Sequence, residues 1–405
     1  RLTELTTAAL DLSKSGSLVR ALADVEQLAA IHEADGPPSF EGMGRHGLLA
    51  FVARQLELCS SLGTLPFSII ARHGFIAESL LRSASARGAI DPQRVLAFKR
   101  SISTIMGDLS ADMAEVVAGN MSQADFLARY GHLRPGTYDI TSPRYADRSE
   151  LFSGVVPVAV ESGHDPFALT KQERASLDGL FAEAGLPCTA DVLLRHAEKA
   201  IVGREYAKFV FTRSLSDAME GLAAWAATLD IGRDELSYLT VHDVLDTAVL
   251  ADHSGVARRL TDLSERRRSE ANLTGAVKLS YLIRGVRDLH VVPIHRSQPN
   301  FITNDRIRAK VLVLDSTVDV RAGLMGRIAC IENADPGFDW IFTKGICGLV
   351  TKYGGANSHM AIRCAELGLP AAIGCGEQLF DRVSGAVEVE LNCGEKILRP
   401  ANDVR

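Results

Sequence analysis

Apolar residues recur at helical spacing through most of residues 1–287. In the first stretch, for example, Leu18, Leu22 and Val25 fall on one face, which is the pattern of an amphipathic helix whose apolar stripe meets a core. The predicted helices cover residues 1–34, 48–62, 66–86, 92–117 and most of 170–287. We therefore predict a large, mostly α-helical domain over residues 1–295.

The pattern changes in the polar stretch 291–308, which contains two prolines and has no periodicity. We place a hinge there, at residues 296–308. Short apolar runs of the kind that form buried strands follow it. The predicted strands are 311–314, 328–331, 340–342, 346–350, 371–373 and 386–391, with helices over 359–367 and around Leu379. The predicted fold class is α+β multidomain: a large, mostly α-helical domain followed by a small β/β/α domain over residues 309–405.

The composition is that of a packed globular protein, with 46% hydrophobic, 6% aromatic and 23% charged residues. A length of 405 residues accommodates two or three domains. The seven cysteines are scattered, without C-x-x-C spacing. We interpret them as reduced thiols of a cytoplasmic protein and predict no zinc site.

Charge and hydropathy argue against a nucleic-acid or membrane partner. The net charge is −6, and the three arginines at 266–268 lie in a helical stretch that also contains glutamate, which indicates a solvated helix face. We expect no membrane-spanning segment and no signal peptide. The G-x-G-x-x-G string at residues 42–47 is interpreted as a loop, because neither a preceding strand nor a βαβ unit accompanies it.

The strongest candidate for chemistry is His359. A predicted strand is followed by Gly354 and Gly355, where the backbone can turn tightly. Asn357 or Ser358 could then cap a helix that begins at His359. The start of a helix offers free N–H groups and a partial positive charge, so this turn is a natural site for an anion.

An imidazole is also a competent phosphoryl acceptor near neutral pH, because its pKa of about 6.5 leaves much of it unprotonated. Arg363 lies four residues further along the same helix face, where its guanidinium could bind phosphoryl oxygens. We interpret His359 as a phosphoryl carrier, with Gly354, Gly355, Ser358 and Arg363 stabilising the phosphoryl group. The alternative is an ordinary histidine that caps a helix beside a turn.

The whole string around His359 resembles the phosphohistidine swivelling domain of the phosphoenolpyruvate-utilising enzymes. It reads GGxxSHxAIxxxExGxPA from Gly354 to Ala371, and the resemblance covers about residues 306–400. The family includes phosphoenolpyruvate synthase, pyruvate phosphate dikinase and rifampicin phosphotransferase. The synthases usually carry Thr and Cys where this chain has Asn357 and Ser358, which points away from a synthase.

A loop dense in polar groups occupies residues 131–139, with the string GHLRPGTYD. This string, and the segment RHGF at residues 72–75, are similar to a narrower subgroup typified by the ATP-dependent glutamine kinases of capsule and sugar-nucleotide pathways. The candidate acceptor-binding residues are Arg72, His73, His132, Arg134, Thr137, Tyr138, Asp139 and Arg204. The resembling family often has an Arg-Glu pair at the position of Arg204. The alternatives are a polar surface loop, a buried polar network around His73 and helix salt bridges at Arg204.

The resemblance implies a dikinase-type reaction. ATP phosphorylates His359 with release of AMP and phosphate, and the small domain carries the phosphoryl group to an acceptor on the helical domain, with the amide of L-glutamine as the predicted acceptor. ATP and Mg²⁺ are expected to be bound by an ATP-grasp domain outside this sequence, so this chain alone is expected to be inactive with ATP. The chain also has no segment that resembles the barrel domain of the synthases.

Other functions stay open. One is a synthase-type or antibiotic phosphotransferase, and another is a non-catalytic family member that binds a partner. A large, apolar, Met-rich cavity would favour an antibiotic, whereas a small polar pocket with a facing Arg and carboxylate would favour an amino acid.

Overall fold

The computed structural model describes residues 2–148, 151–153, 155, 167–249, 255–275, 277, 279, 282–290, 297–314, 323–356 and 358–401. Within these ranges the chain forms two parts. The first is a helical region, residues 2–290, and the second is a sheet region, residues 297–401, built on a seven-stranded sheet. This layout fits the predicted α+β class.

The helical region is a set of α-helices joined by short connections. They are α1 (Leu2–Ala9), α2 (Ser17–Asp35), α3 (Arg45–Leu58), α4 (Leu65–Ala86), α5 (Pro92–Arg100), α6 (Ile105–Ala118), α7 (Gln123–Tyr130), α8 (Lys171–Glu183), α9 (Ala190–Ala227), α10 (Arg233–Leu236), α11 (Val241–Leu245) and α12 (Val256–Gly275). A π-helical turn, Cys59–Thr64, joins α3 to α4, and short 3-10 helices span Tyr145–Asp147, Asp246–Val249 and Val286–Leu289.

Helix α9 is the axis of this region. It has 38 residues, a length of about 57 Å at 1.5 Å per residue, and α2, α3 and α4 pack against it. The π-helical turn also lies against α9 at Gly63, where an added Cβ would approach the Cβ of Phe211 to 2.5 Å. A glycine there lets two backbones approach closely.

Local capping signals are confirmed, whereas two predicted helices are each broken in two. Asp91 accepts a hydrogen bond from the backbone N–H of Gln93 at 2.7 Å, and Thr170 with Glu173 forms a capping box. The predicted helix 1–34 is interrupted at residues 10–16, and the helix predicted over 92–117 is interrupted at residues 101–104. Both breaks contain short Ser, Thr or Asp side chains that bond to nearby backbone and so compete with the helix.

The run Arg45–Ala86 forms 42 residues of continuous helix, and by length and composition alone it could cross a membrane. The sequence pattern predicts two separate helices here. In this fold Leu48, Val52 and Ile70 of the run are buried, and the run packs against α9. A core helix of a globular protein has the same apolar character.

The sheet region contains seven strands and two helices. They are β1 (Asn300–Ile302), β2 (Arg306–Leu314), β3 (Ile328–Asn333), β4 (Gly348–Tyr353), α13 (His359–Glu366), β5 (Ala371–Ile373), α14 (Glu377–Ser384), β6 (Glu388–Asn392) and β7 (Ile397–Pro400). The strand order is β1-β5-β4-β3-β2-β6-β7. Strands β2 to β5 are parallel, and the remaining strands are antiparallel at the two edges.

The prediction of a strand over residues 340–342 is wrong. These residues lie in a 3-10 helix, Pro336–Lys344, between β3 and β4. Trp340, Ile341 and Phe342 are all buried. A short apolar run that is buried on every side carries no periodicity that separates a strand from a helical turn.

The predicted hinge also needs correction. Asn300 pairs with Ile373 and Arg306 pairs with Asn392, so residues 300–302 and 306–308 are in strands. The seven-stranded sheet therefore begins at Asn300, inside the predicted hinge. Arg306 and Arg308 are exposed on either side of half-buried Ile307, and β1 is a three-residue edge strand, which explains why this sequence looks like a linker.

The helical and sheet regions share one continuous apolar core. Leu109 and Met113 of α6 and Phe126 of α7 belong to the same buried cluster as Trp340 and Met360. The sheet region is therefore docked on the helical region by burial of apolar surface, which is the largest favourable contribution to such contacts.

Polar contacts complete this docking. The Tyr145 hydroxyl donates to the carbonyl of Gly337 at 2.9 Å, and the Lys344 ammonium donates to the carbonyl of Leu151 at 2.9 Å. Gly337 also lies so close to Arg134 that an added Cβ would approach the Arg134 carbonyl oxygen to 1.9 Å. The 3-10 helix Pro336–Lys344 is thus the part of the sheet region that fits most tightly against the loop 131–139.

Candidate functional site

His359 begins α13, as predicted, and Ser358 is its N-cap. The Ser358 hydroxyl accepts from the backbone N–H of Ala361 at 3.4 Å. Gly354 has φ +134°, and an added Cβ there would approach Ala334 to 3.0 Å and Ile373 to 3.2 Å, so this turn requires glycine. Asn357, the other predicted cap, lies outside the described residues.

The His359 ring is buried between two carboxylates, one from each region. Its Nδ1 lies 3.0 Å from Glu205 Oε2 and its Nε2 lies 2.6 Å from Asp339 Oδ1. Only 8% of the residue is exposed. Glu205 belongs to α9 of the helical region, whereas Asp339 belongs to the 3-10 helix of the sheet region.

The two carboxylates set the charge of the ring. Burial on its own lowers the pKa of His359, but Asp339 and then Glu205 outweigh burial and raise the pKa to about 9. Burial likewise raises the pKa of Glu205, but the hydrogen bond and charge of His359, with Arg204, lower the pKa of Glu205 to about 2. In the docked arrangement His359 is therefore an imidazolium at neutral pH.

Each of the two carboxylates has an arginine beside it: Arg204 lies next to Glu205 and Arg363 lies next to Asp339. Arg204 donates to Glu205 Oε1 at 2.8 Å, so the structure brings this predicted residue to the site through Glu205. The Nε of Arg363 lies 3.8 Å from Asp339 Oδ2, and its other nitrogens bond to Glu366 at 2.5 Å and to Ser110 of α6 at 2.7 Å. Arg363 thus balances the charge of Asp339 in this position of the sheet region.

Two of the predicted acceptor-binding residues are packed into the helical region. Arg134 donates to Ser216 at 2.9 Å and to Glu220 at 3.0 Å, and it is only 2% exposed. His132 Nε2 lies 3.1 Å from the carbonyl oxygen of Phe209. In this arrangement both side chains hold the loop to α9 and face protein groups.

The remaining residues of the loop 131–139 have different surroundings. Thr137 donates to Asp335 Oδ1 at 2.9 Å, a contact between the helical and sheet regions. Asp139 accepts from the backbone and hydroxyl of Thr141 at 2.9 and 2.7 Å, a local turn. Tyr138 is 68% exposed. The loop therefore contacts the sheet region through Thr137 rather than forming a common pocket with His359.

Arg72 and His73 lie on α4. Arg72 is exposed. His73 is buried, with Nδ1 3.0 Å from His196 Nε2 and Nε2 3.0 Å from the Ser17 hydroxyl, and burial lowers its pKa. The buried polar network considered for His73 from the sequence is the arrangement present in the structure.

A cleft of about 600 Å³ opens beside α13, between the helical and sheet regions. Its lining is mixed. Phe75, Ile201 and Ile362 supply apolar surface, and Glu78 and Arg204 supply charge, with Glu78 paired to Lys99 at 2.6 Å. None of the described lining residues is methionine. This volume is within the range of pockets that bind small molecules.

Sequence reasoning missed the role of Asp339 and undervalued Glu205. Asp339 lies inside an apolar run and is completely buried, so a carboxylate between Phe338 and Trp340 was the available signal. A buried charge is retained only where it has partners. The signal for Glu205 was its place next to Arg204, in an Arg-Glu pair that the resembling family often has.

One comparison with known proteins matches the sheet region. Residues 325–396 match the model of the PEP-utilising enzyme, mobile domain. This match contains His359, Asp339 and Arg363, and it lies within the predicted resemblance over residues 306–400.

One curated relative matches a larger part of the chain. Rifampicin phosphotransferase of Streptomyces sviceus is 26% identical over 322 residues, which cover 70% of this chain and 35% of that protein. The chain thus spans about a third of the length of this relative. The chain is thus similar to the mobile domain of PEP-utilising enzymes over residues 325–396 and to this phosphotransferase over 322 residues. The glutamine kinase subgroup stays a prediction.

Proposed function

We propose that this chain is the acceptor-binding and phosphohistidine-carrying part of an ATP-dependent phosphotransferase. His359 receives a phosphoryl group from ATP, with release of AMP and phosphate, and passes it to a small acceptor. ATP and Mg²⁺ belong to a nucleotide-binding domain that is not part of this sequence. The match covers only 35% of the rifampicin phosphotransferase relative, which supports a nucleotide-binding domain elsewhere in the full-length protein.

The observation that carries the proposal is the place of His359. It begins a capped helix after a Gly-Gly turn, inside the mobile-domain match, and its ring faces α9 across the contact between the regions. Phosphoryl transfer needs mainly positioning and stabilisation of charge. A covalent carrier divides the transfer between distant sites into two local steps.

The chemistry is balanced in each step. At the nucleotide site an unprotonated ring nitrogen of His359 attacks the β-phosphorus of ATP, the bond from that phosphorus to the bridging oxygen of the α-phosphate breaks, and AMP leaves. Water then takes the terminal phosphoryl group as phosphate, so that one phosphoryl group stays on His359. At the helical region an oxygen or nitrogen of the acceptor attacks phosphorus, the P–N bond breaks, and the acceptor gives up a proton. The ring nitrogen keeps the electron pair of the broken bond and can take up that proton, because its pKa is close to neutral when it is free.

We place the acceptor in the cleft beside α13. The cleft is bounded by α13 itself, through Ala361 and Ile362, and by Arg204, which bonds to the Glu205 partner of His359. Its mixed lining and volume of about 600 Å³ suit an acceptor with a sizeable apolar body and at least one polar group. L-Glutamine is a second candidate, which the presence of both basic and acidic side chains in the lining, such as Arg204 and Glu78, favours.

The test uses the full-length protein with its nucleotide-binding domain. It is incubated with ATP and Mg²⁺ and, in parallel, with L-glutamine, rifampicin or no acceptor, while AMP formation and phosphorus magnetic resonance are followed. We expect acid-labile phosphate on His359 in each case and phosphorylated acceptor with one compound. AMP formation that persists after His359→Ala would refute the carrier role, and labelling of His359 without transfer to either compound would refute only these two acceptors.

A further inference from the structure

Two carboxylates face the two nitrogens of one histidine ring. Glu205 Oε2 is 3.0 Å from Nδ1 and Asp339 Oδ1 is 2.6 Å from Nε2. An ionised carboxylate only accepts hydrogen bonds, whereas a neutral imidazole donates from one nitrogen alone. Both contacts can therefore be hydrogen bonds only when both nitrogens of His359 carry a proton.

The two carboxylates belong to different parts of the molecule. Asp339 is in the sheet region and stays with His359 wherever that region moves, whereas Glu205 is fixed on α9. The contact between His359 and Glu205 is thus the part of the arrangement that exists only while the sheet region is docked.

The other charged groups around the ring support this arrangement. Arg204 on α9 bonds to Glu205 at 2.8 Å, and Arg363 on α13 lies 3.8 Å from Asp339. Glu366 and Ser110 hold Arg363. Tyr145 of the helical region also lies near Asp339, and burial first and then the charge of Asp339 raise the pKa of its hydroxyl. Each carboxylate at His359 therefore has one arginine beside it.

We propose that the contact between His359 and Glu205, with Asp339 accepting from the other ring nitrogen, is a clamp that favours the docked position while His359 is protonated and unphosphorylated, and that phosphorylation of His359 weakens this docking. This inference rests on the proposed carrier function and concerns its regulation. A phosphoryl group on Nδ1 would occupy the position of Glu205 Oε2, and one on Nε2 the position of Asp339 Oδ1. It would also place negative charge against two carboxylates, which is repulsive.

The clamp fits the state that follows transfer. When the P–N bond breaks while the other ring nitrogen carries a proton, the released nitrogen keeps the electron pair and takes the proton that the acceptor loses, so the product is the imidazolium that both carboxylates bind. Transfer of the phosphoryl group to the acceptor requires a position of the sheet region in which Glu205 does not contact the His359 ring. The next phosphorylation requires the ring to lose a proton, because an imidazolium has no free electron pair for phosphorus.

The direction of the pH dependence follows from the same contacts. The pKa of His359 is raised to about 9 in the docked position, by Asp339 and then by Glu205. Only the part due to Glu205 is lost on undocking, so the contribution of this contact to docking is lost as pH rises through about 9. The pKa of Glu205 is lowered from 4.5 to about 2, so its contribution is complete above about pH 4.5. Docking should be strongest between these limits.

The experiment follows docking of this chain by small-angle X-ray scattering from about pH 6 to about pH 10. It includes the wild type, Glu205→Gln and Asp339→Asn. Asp335→Asn is the matched control, because Asp335 binds Thr137 across the same contact without contacting His359. A second arm treats the wild type with phosphoramidate, a chemical phosphoryl donor to histidine, with His359→Ala treated in parallel.

We expect the wild type to open as pH rises towards 10 and after phosphoramidate treatment. Glu205→Gln and Asp339→Asn should reduce the docked-to-open ratio about tenfold near pH 7, the effect of losing one charged hydrogen bond, and should flatten the pH profile. Asp335→Asn should shift the ratio without flattening the profile. His359→Ala should not respond to phosphoramidate.

An unchanged pH profile in Glu205→Gln would overturn the clamp, as would a phosphorylated wild type that stays docked. Neither result depends on the nucleotide-binding domain. Labelling of His359 by ATP in the full-length protein tests the proposed function separately, so failure of one can be told from failure of the other.

Discussion

His359 and His132 are equally buried, with 8% and 9% exposure, yet their surroundings favour opposite charge states. Burial lowers the pKa of both. At His359 the charges of Asp339 and Glu205 outweigh burial and raise the pKa to about 9. At His132 burial is joined by the positive charge of Arg213, and the pKa falls to about 3 despite the hydrogen bond to Phe209.

The difference shows that burial alone does not identify a functional histidine. What separates the two is the partner of the ring: carboxylates from two regions at one, a backbone carbonyl at the other. A perturbed pKa with a specific charge partner is a stronger indicator of function than a perturbed pKa caused by desolvation.

The largest expected effect is the loss of phosphoryl transfer in His359→Ala of the full-length protein. We expect acid-labile phosphorylation by ATP and transfer to acceptor to fall at least about a thousandfold, the scale seen when a covalent catalytic residue is removed. Incorporation of labelled phosphate and AMP formation measure it. The control is His132→Gln, in which we expect His359 to be phosphorylated normally. An equal loss of phosphorylation in the two variants would contradict the assignment of the carrier role to His359 alone of the two.

The next effect concerns Arg134, which the sequence assigned to acceptor binding. Arg134 is paired with Glu220 and buried, so Arg134→Ala should lower the free energy of unfolding by about 3–5 kcal/mol, the cost of removing one partner of a buried pair. Urea denaturation followed by circular dichroism measures it. A fully stable variant with weakened acceptor use would instead restore the acceptor-binding interpretation.

A smaller effect distinguishes the two histidines by pH. The raised pKa of His359 contributes stability that is lost as pH rises from 6.5 through about 9. The lowered pKa of His132 means that stability is lost as pH falls from 6.5 through about 3. We expect His359→Gln to flatten the alkaline side of the stability profile and His132→Gln to flatten the acid side, as measured by urea denaturation at a series of pH values. The reverse assignment would contradict the charge states given above.

The smallest effect is expected at Tyr138, which is 68% exposed. Tyr138→Ala should change the free energy of unfolding by no more than about 0.5 kcal/mol, as is usual for a surface substitution, and should leave acceptor use unchanged. Thermal denaturation and transfer rates check both. A selective loss of transfer would show that this loop approaches the acceptor in another position of the sheet region.

The sequence by itself was sufficient where the determinants are local. Ser358 capping a helix that starts at His359 and the glycine at residue 354 are set by neighbours along the chain, since capping and positive φ involve only a few adjacent residues. The same locality made the Thr170 capping box predictable. The strand prediction at residues 340–342 was wrong because a short apolar run does not reveal whether its buried backbone is a strand or a 3-10 helix.

Only the tertiary structure brought the partners of His359 together. Glu205 is 154 positions away along the chain and Asp339 is 20 positions away, and no periodic pattern links them to the histidine. Likewise, the residues of loop 131–139 look like ligand-binding groups in the sequence, but packing against α9 and the 3-10 helix directs Arg134 to Glu220 and Thr137 to Asp335. The sequence determined that a histidine begins this helix, and the packing of two regions determined its charge, because the charge of a buried group depends on which distant groups the fold places beside it.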